Sequence, residues 1–184
     1  MTERIIVAGS GGQGIMLLGK VLAEAAILQG SQVTYLPAYG AEVRGGTSHC
    51  IVTISEQEIS SPYTKKADTL IVLNNPSLEK FRNRVKDSGL LIFNSSLTKI
   101  DTQVKIKILQ FPFTDIAVKL GNIKVANMVA LGCYVTAKQI IEPKNVLRVF
   151  KLMAPAGNLR ILEINEKALA EGIRLAHGQS KICA

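Results

Sequence analysis

The chain has 184 residues, 47 % of them hydrophobic and 20 % charged, which excludes a disordered or fibrous protein. An α/β domain of this length buries roughly 70 % of its unfolded surface, so no metal or disulfide staple is needed. Subtracting 14 Asp and Glu from 22 Lys and Arg leaves +8, a balance that suits phosphates, nucleic acid or an acidic protein. The basic residues are scattered, and with no Trp and 5 % aromatics there is little to stack on bases. Nucleic acid is therefore not expected as a partner. Cys50, Cys133 and Cys183 lie far apart without a CxxC, which speaks against a local zinc or iron–sulfur site. Their odd number and the lack of a signal peptide predict a reducing, cytoplasmic setting. The longest uncharged helical run, residues 125–137, is too short for a bilayer, which takes about 17–25 residues.

Arg4–Ala8 is short, apolar and β-branched, and glycine ends it, which predicts a buried strand. Gly14–Gln29 has helical length without proline, and Gly30 offers a stop. Gly19, Ala23, Ala26 and Gly30 form a small-residue stripe suited to close packing on a sheet. The apolar Ile15, Leu18, Val21, Leu22 and Leu28 spread over more than one face, either squeezed between elements or in contact with a second subunit. Strands are predicted at Gln32–Leu36, Ser48–Ser55, Thr69–Leu73 and Gly89–Phe93, with a polar helix from about Ser77 to Lys86. Val104–Leu109, with alternating lysines, suits an edge strand with one wet face. Helices follow at Asp115–Leu120, Ile123–Ile141, Pro143–Met153 and Asn165–His177, the last capped by Asn165 and stopped by Gly178. The early strand–helix alternation predicts one α/β domain over residues 1–184. It is Rossmann-like and three-layered, with a mostly parallel sheet and helices on both faces.

Gly9-Ser10-Gly11-Gly12-Gln13-Gly14 satisfies G-x-G-x-x-G between a strand and a helix. Such glycines let the backbone turn tightly and approach a phosphate, while the helix N-terminus offers unpaired N–H groups and partial positive charge. The alternative is a tight turn that binds nothing. A dinucleotide fold places an acid about 20 residues on, at the end of the second strand. Here that stretch reads Thr34-Tyr35-Leu36-Pro37, without carboxylate or arginine. No GKS or GKT follows the loop, which excludes a Walker-type triphosphate site.

Tyr39-Gly40-Ala41-Glu42-Val43-Arg44-Gly45-Gly46 brackets an acid and a base with glycines. Its expected place is a strand's C-terminal end beside the first loop, where open α/β sheets bind ligands. Arg44 can pair with a phosphate or carboxylate and Glu42 can orient it; the alternative is an internal Glu–Arg brace.

Together, the loop running into Ile15 and the Tyr39–Gly46 segment resemble the gamma subunit of 2-oxoacid:ferredoxin oxidoreductases. So do Ser61-Pro62 with Ala67-Asp68, Leu120-Gly121-Asn122 with residues 126–132, and the helix after Leu162-Glu163-Ile164-Asn165. The match is co-linear over nearly the whole chain and is nearest the 2-oxoglutarate or branched-chain-oxoacid type. The resemblance implies a division of labour. Alpha and beta subunits hold thiamine diphosphate and the oxoacid, and cysteine-rich parts, including a ferredoxin-like delta subunit, hold iron–sulfur clusters. The gamma chain serves the coenzyme A side and assembly. It implies cofactor-binding roles for Gly9, Gly11, Gly12, Gln13, Gly14, Tyr39, Gly40, Glu42, Arg44, Gly45 and Gly46, with no catalytic residue and no metal ligand here. The chain alone is expected to be inactive, with self-association into a homo-oligomer open to it. A competing reading is a stand-alone Rossmann-like nucleotide- or anion-binding protein.

Among the remaining polar residues, His49 and His177 lack catalytic or ligand spacing. Asn127, in an apolar helix, reads as a buried structural hydrogen-bonder, and Cys50 and Cys133 as small hydrophobes. Lys65-Lys66 and the Lys80–Lys86 group read as solvated surface, with docking to an acidic partner as the lesser alternative.

Overall fold

The computed structural model describes residues 1–38, 47–99, 106–154 and 159–180. Six strands form one sheet: β1 (Thr2–Ser10), β2 (Gln32–Ala38), β3 (Thr47–Ser55), β4 (Ala67–Val72), β5 (Val85–Asn94) and β6 (Lys107–Phe111). Their spatial order is β2-β3-β1-β4-β5-β6. β1, β4, β5 and β6 pair in parallel, and β3 runs antiparallel to both of its neighbours, so β2 points the same way as β1. The expected mostly parallel sheet is present. The exception follows from connection length: residues 39–46 are too few for a parallel crossover, which takes a dozen or more, so β2 and β3 form a hairpin.

The helices are α1 (Ile15–Leu28), α2 (Asn75–Phe81), α3 (Phe113–Lys119), α4 (Ala126–Lys138), α5 (Pro143–Met153) and α6 (Leu159–Ser180). The sheet is covered on both faces, but unequally. Ile5 and Val7 of β1 face a core shared with α1, α3, α4, α5 and α6. Ile6 and Ala8 face a smaller one to which α2 contributes Leu78 and Phe81. Burial on both sides explains the nearly continuous apolar run of β1.

Several predicted boundaries move. The polar helix ends at Phe81 and tightens into a 3-10 turn at Arg82–Arg84; Val85 and Lys86 already belong to β5. The β4–β5 pairing jumps from Ala67↔Val85 to Thr69↔Leu90, and this irregularity leaves Asp87 and Ser88 exposed. That polar interruption made the strand read as starting at Gly89. The long buried helix stops at Lys138, because Gln139 adopts φ 54°, and opens with a 3-10 turn at Ile123–Val125. The last helix starts at Leu159, so Asn165 lies inside it rather than capping it, and Gly178 does not stop it. β6 is the expected edge strand, shifted to Lys107–Phe111; Val104 and Lys105 lie outside the described residues.

Close backbone approaches set the layers. A Cβ on Gly19 would overlap Cys50 Sγ and come within 3.1 Å of Tyr35, so α1 lies tight against β2 and β3. The small-residue stripe is therefore sheet packing at this point, and most apolar residues of α1 are buried within the chain. Leu17 and Ile27 remain exposed. α4 has all residues from Ala126 to Val135 buried and crosses α6 where Gly132 meets Gly172. Cys133 lies in the same seam, its Sγ 3.2 Å from Gly172 O. At the sheet's other end Lys138 Nζ reaches the buried Glu3 at 3.0 Å, and Thr69 Oγ1 donates to Glu3 at 2.6 Å. Burial still wins over these partners and pushes the Glu3 carboxyl above its ordinary range.

Gly132→Ala tests the helix crossing. Its new Cβ would overlap the Leu169 carbonyl and sit 3.0 Å from Gly172 Cα, backbone that cannot rotate away. The expected loss is about 1–3 kcal/mol by urea unfolding. Gly178→Ala, with nothing within 4 Å in the helix α6, should be neutral or gain up to about 1 kcal/mol.

Candidate functional site

Chain direction reverses its progress across the sheet at β1. After β1 the chain moves through α1 to β2 on one side, and from β4 onward it builds the other side. The C-terminal ends of β1 and β4 flank this switch point, which is where open α/β sheets bind ligands. The Gly9–Gly14 turn lies there.

Three carboxamides stitch the edge. Gln13 Oε1 accepts the Ser10 N–H at 2.7 Å, and Gln13 Nε2 donates to Leu73 O at 3.3 Å. Asn74 Oδ1 accepts the Ser77 N–H at 3.1 Å, capping α2, and its Nδ2 donates to Ser10 Oγ. Asn94, fully buried, donates to Leu73 O at 3.3 Å and to Thr114 Oγ1 at 2.8 Å, and accepts from the N–H groups of Ser96 and Thr114. Gln13's side chain thus serves the fold, and what the loop presents outward is backbone. The sequence reading missed Asn74 and Asn94. Asn74-Asn75-Pro76 after an apolar strand was a readable helix start, whereas nothing local marks Asn94.

The backbone is held open. Gly12 has φ 86° and Gly14 φ 71°, conformations that suit glycine. No atom stands within 4 Å of a Cβ built on Gly11 or Gly12. Among the described residues the N–H groups of Gly11, Gly12 and Gly14 have no hydrogen-bond partner. α1 begins with no side-chain cap and no acid in its first turn. Unpaired donors together with a positive helix end make a cradle for an anion.

Asn127 fixes the cradle from behind. Its Nδ2 donates to Gly14 O at 3.0 Å, and a Cβ on Gly14 would overlap that same nitrogen. It is the buried structural hydrogen-bonder expected of it, and it is set at the site itself.

Tyr39, Gly40, Glu42, Arg44, Gly45 and Gly46 lie outside the described residues. The ends of their segment are placed: Ala38 pairs with His49, and Thr47 pairs with Ser10 of the glycine loop. Lys80 Nζ donates to Thr47 Oγ1 at 2.9 Å. His49 packs its ring 4.7 Å from Phe81, and burial, with Arg84 and Lys80 nearby, lowers its pKa and keeps it neutral. Burial pushes the Cys50 thiol up to about 12 and Cys133 higher still, so neither is a nucleophile at neutral pH. Among the described residues no group of acids, histidines and cysteines could hold a metal ion, and no helix is long and apolar enough to cross a membrane.

The two basic groups of the sequence come together on the α2 side. Arg84 donates to the carbonyls of Thr64 and Lys65, Lys66 donates to those of Asn83 and Val85, and Lys86 pairs with Asp68 at 2.5 Å. Much of that charge ties one loop to the next.

Fold and site define a Rossmann-like α/β module with an open glycine turn, bearing free N–H donors, at its switch point. Residues 4–175 match the family model described as pyruvate ferredoxin/flavodoxin oxidoreductase, and the chain belongs to that family. It is 34 % identical over 94 % of its length to the ketoisovalerate oxidoreductase subunit VorA of Methanothermobacter thermautotrophicus, of which it covers 36 %. The chain thus spans about a third of that longer relative. It is 34 % identical to the 2-oxoglutarate synthase subunit KorC of Archaeoglobus fulgidus, over 96 % of this chain and 89 % of that one. Its fold matches the gamma subunit of a keto/oxoacid ferredoxin oxidoreductase from Geobacter sulfurreducens with a TM-score of 0.83. That match is 29 % identical and covers 96 % of this chain and 99 % of the other. The 2-oxoglutarate:ferredoxin oxidoreductase from Magnetococcus marinus, solved with 2-oxoglutarate, coenzyme A and succinyl-CoA bound, shares the fold at a TM-score of 0.88. There the identity is 22 %, over 96 % of this chain and 31 % of that one.

Alanine substitutions at three glycines separate packing from presentation. Gly11→Ala should change stability by no more than about 0.5 kcal/mol. Gly12→Ala should cost about 1–2 kcal/mol for its left-handed backbone. Gly14→Ala should cost most, since it adds the overlap with Asn127. Urea midpoints in that order are expected; an equal loss at Gly11 would mean that the turn is buried packing.

Proposed function

We propose that this chain is the gamma component of a multisubunit 2-oxoacid:ferredoxin oxidoreductase, acting as one domain in the cytoplasm, with 2-oxoglutarate as the substrate of the complex. In that reaction the oxoacid loses carbon dioxide and its acyl group passes to the sulfur of coenzyme A. The thiol proton is released and two electrons go to ferredoxin. Thiamine diphosphate and the iron–sulfur clusters belong to the alpha and beta subunits and to a ferredoxin-like delta subunit. This chain contributes a hold on coenzyme A and a place in the assembly.

The observation that carries the reading is the open cradle: free N–H groups at Gly11, Gly12 and Gly14, clear space above two of them, and an uncapped helix start. A coenzyme rich in phosphate fits it, with Arg44 supplying fixed charge from the segment whose ends flank the loop. Glu42 orients Arg44 in this reading, and the glycines 40, 45 and 46 with Tyr39 shape the segment. The competing stand-alone binding protein is disfavoured by the family membership over nearly the whole chain.

Arg44→Ala in the assembled enzyme should raise the KM for coenzyme A roughly tenfold to a hundredfold, the worth of one charge-assisted hydrogen bond at about 1.5–3 kcal/mol. The KM for the oxoacid should stay within about twofold. The isolated chain, given oxoacid, thiamine diphosphate, coenzyme A and a viologen dye, should show no turnover. A defect confined to the oxoacid, or turnover by the lone chain, would refute the assignment.

A further inference from the structure

The basic groups on the α2 side do more than brace two loops. Residues 63–66 lead into β4 and Arg82–Arg84 lead into β5, and the two strands start side by side where Ala67 pairs with Val85. Their side chains therefore meet at the N-terminal edge of the sheet, one strand length from the glycine turn. The six residues of β4 make that about 20 Å. Lys65, Lys66 and Arg82 are exposed, and Arg84 is half-buried. Arg84 is fixed in orientation. It donates to the carbonyls of Thr64 and Lys65, and its guanidinium lies 5.6 Å from the centre of the Tyr63 ring and 5.7 Å from that of Phe81. Lys66 Nζ donates to Asn83 O at 2.7 Å. These partners are carbonyls and rings, which hold a cation without cancelling its charge. Among the described residues no carboxylate pairs with Lys65, Lys66, Arg82 or Arg84, and the nearby Asp68 is taken by Lys86.

Four like charges set this close repel one another, so the patch lacks a counter-charge. Arg and Tyr are the residues that most often anchor protein contacts, and Tyr63 stands 57 % exposed beside the fixed guanidinium. A nucleic acid would need free ring faces for its bases, but the exposed ring of this patch already has Arg84 over it. Tyr63 apart, the face is charged, whereas permanent subunit contacts are more apolar. Such a surface suits a partner that is steered in by charge and leaves again. In the reaction proposed above, the protein that must come and go in each cycle is the one that carries electrons away. We propose that the face made by Tyr63, Lys65, Lys66, Arg82 and Arg84 docks that electron carrier through a carboxylate-rich surface of the carrier. The proposal rests on the oxidoreductase reading and deepens it by placing the carrier at the sheet edge opposite the glycine turn.

The test measures the KM for ferredoxin and the turnover with methyl viologen on the assembled enzyme. The dye is a small cation and needs no such surface. Wild type is compared with the double variant Lys65→Glu/Arg82→Glu and with Lys151→Glu/Lys167→Glu, which makes the same charge change on exposed positions of α5 and α6. Lys65→Glu/Arg82→Glu should raise the KM for ferredoxin roughly tenfold or more at low salt and leave dye turnover within about twofold. The gap to wild type should narrow as salt rises from about 0.01 M to about 0.1 M, over which the screening length falls from roughly 30 Å to roughly 10 Å. Lys151→Glu/Lys167→Glu should change neither value by more than about twofold. An unchanged KM for ferredoxin in the first variant, or an equal rise in the second, overturns the docking surface and leaves the oxidoreductase reading standing. Loss of the complex on gel filtration of the first variant also overturns it, making the face a permanent subunit contact. A wild-type complex that turns over with neither acceptor refutes the oxidoreductase reading and the docking surface together.

Discussion

The left-handed turn at Gly14 constrains the rest of the molecule. β1 must give way to α1 between Ser10 and Ile15, and Gly12 and Gly14, both at positive φ, make that reversal. The Gly14 carbonyl accepts from Leu18 N at 2.9 Å, as the first bond of α1, and from Asn127 Nδ2 at 3.0 Å. One peptide therefore sets the start of one helix and the depth of another. α4 lies against the sheet with its first ten residues buried and carries α6 on its far side. A side chain at position 14 would push back α4, and α6 would follow. The amide orientation of Asn127 is fixed by the same contact, because its oxygen could not face a carbonyl. Its Oδ1 is left without a partner, a cost of about 1–3 kcal/mol that the surrounding packing offsets.

How legible this was in the sequence depended on how local each cause is. β1, β3 and β4 could be read because burial on both faces leaves uninterrupted apolar runs, and the glycine loop because its spacing sits between a strand and a helix. The start of β5 could not, since Lys86-Asp87-Ser88 projects at a pairing irregularity and looks like loop. The start of α6 was hidden by Asn165, which reads as a cap yet lies inside the helix, in the wall of an apolar cavity against Leu17, Phe150 and Met153. At the site, the glycines announced themselves, whereas Gln13, Asn74 and Asn94 acquire meaning only once three strand ends are side by side. A lone carboxamide has no periodicity to read.

Charge is a similar case. A net +8 suggests a field able to draw an acidic partner. The fold spends part of it internally: Arg84 and Lys66 hold carbonyls of adjoining segments, Lys86 holds Asp68, and Lys138 holds Glu3. Lys99 and Lys124, by contrast, stand at the C-terminal edge of the sheet without an ion pair among the described residues. These two ammonium groups thus border the same edge as the glycine turn.

The topology also explains why a G-x-G-x-x-G turn need not signal a dinucleotide. In the dinucleotide fold β2 lies directly beside β1, and an acid at its end reaches the ribose of a nucleotide held by the loop. Here β3 is inserted between them, antiparallel to both. That moves the end of β2 about 4.8 Å further from the loop, one strand spacing. A carboxylate placed after Leu36 would therefore serve no ribose bound as in that fold, and Pro37-Ala38 stands there instead. What borders the loop in its place is the start of β3, with Thr47 opposite Ser10. The glycine turn between β1 and α1 is present, while the element that would read a nicotinamide cofactor's ribose has been displaced by a hairpin. The turn and the second strand, adjacent in the dinucleotide fold, are here separated by a strand.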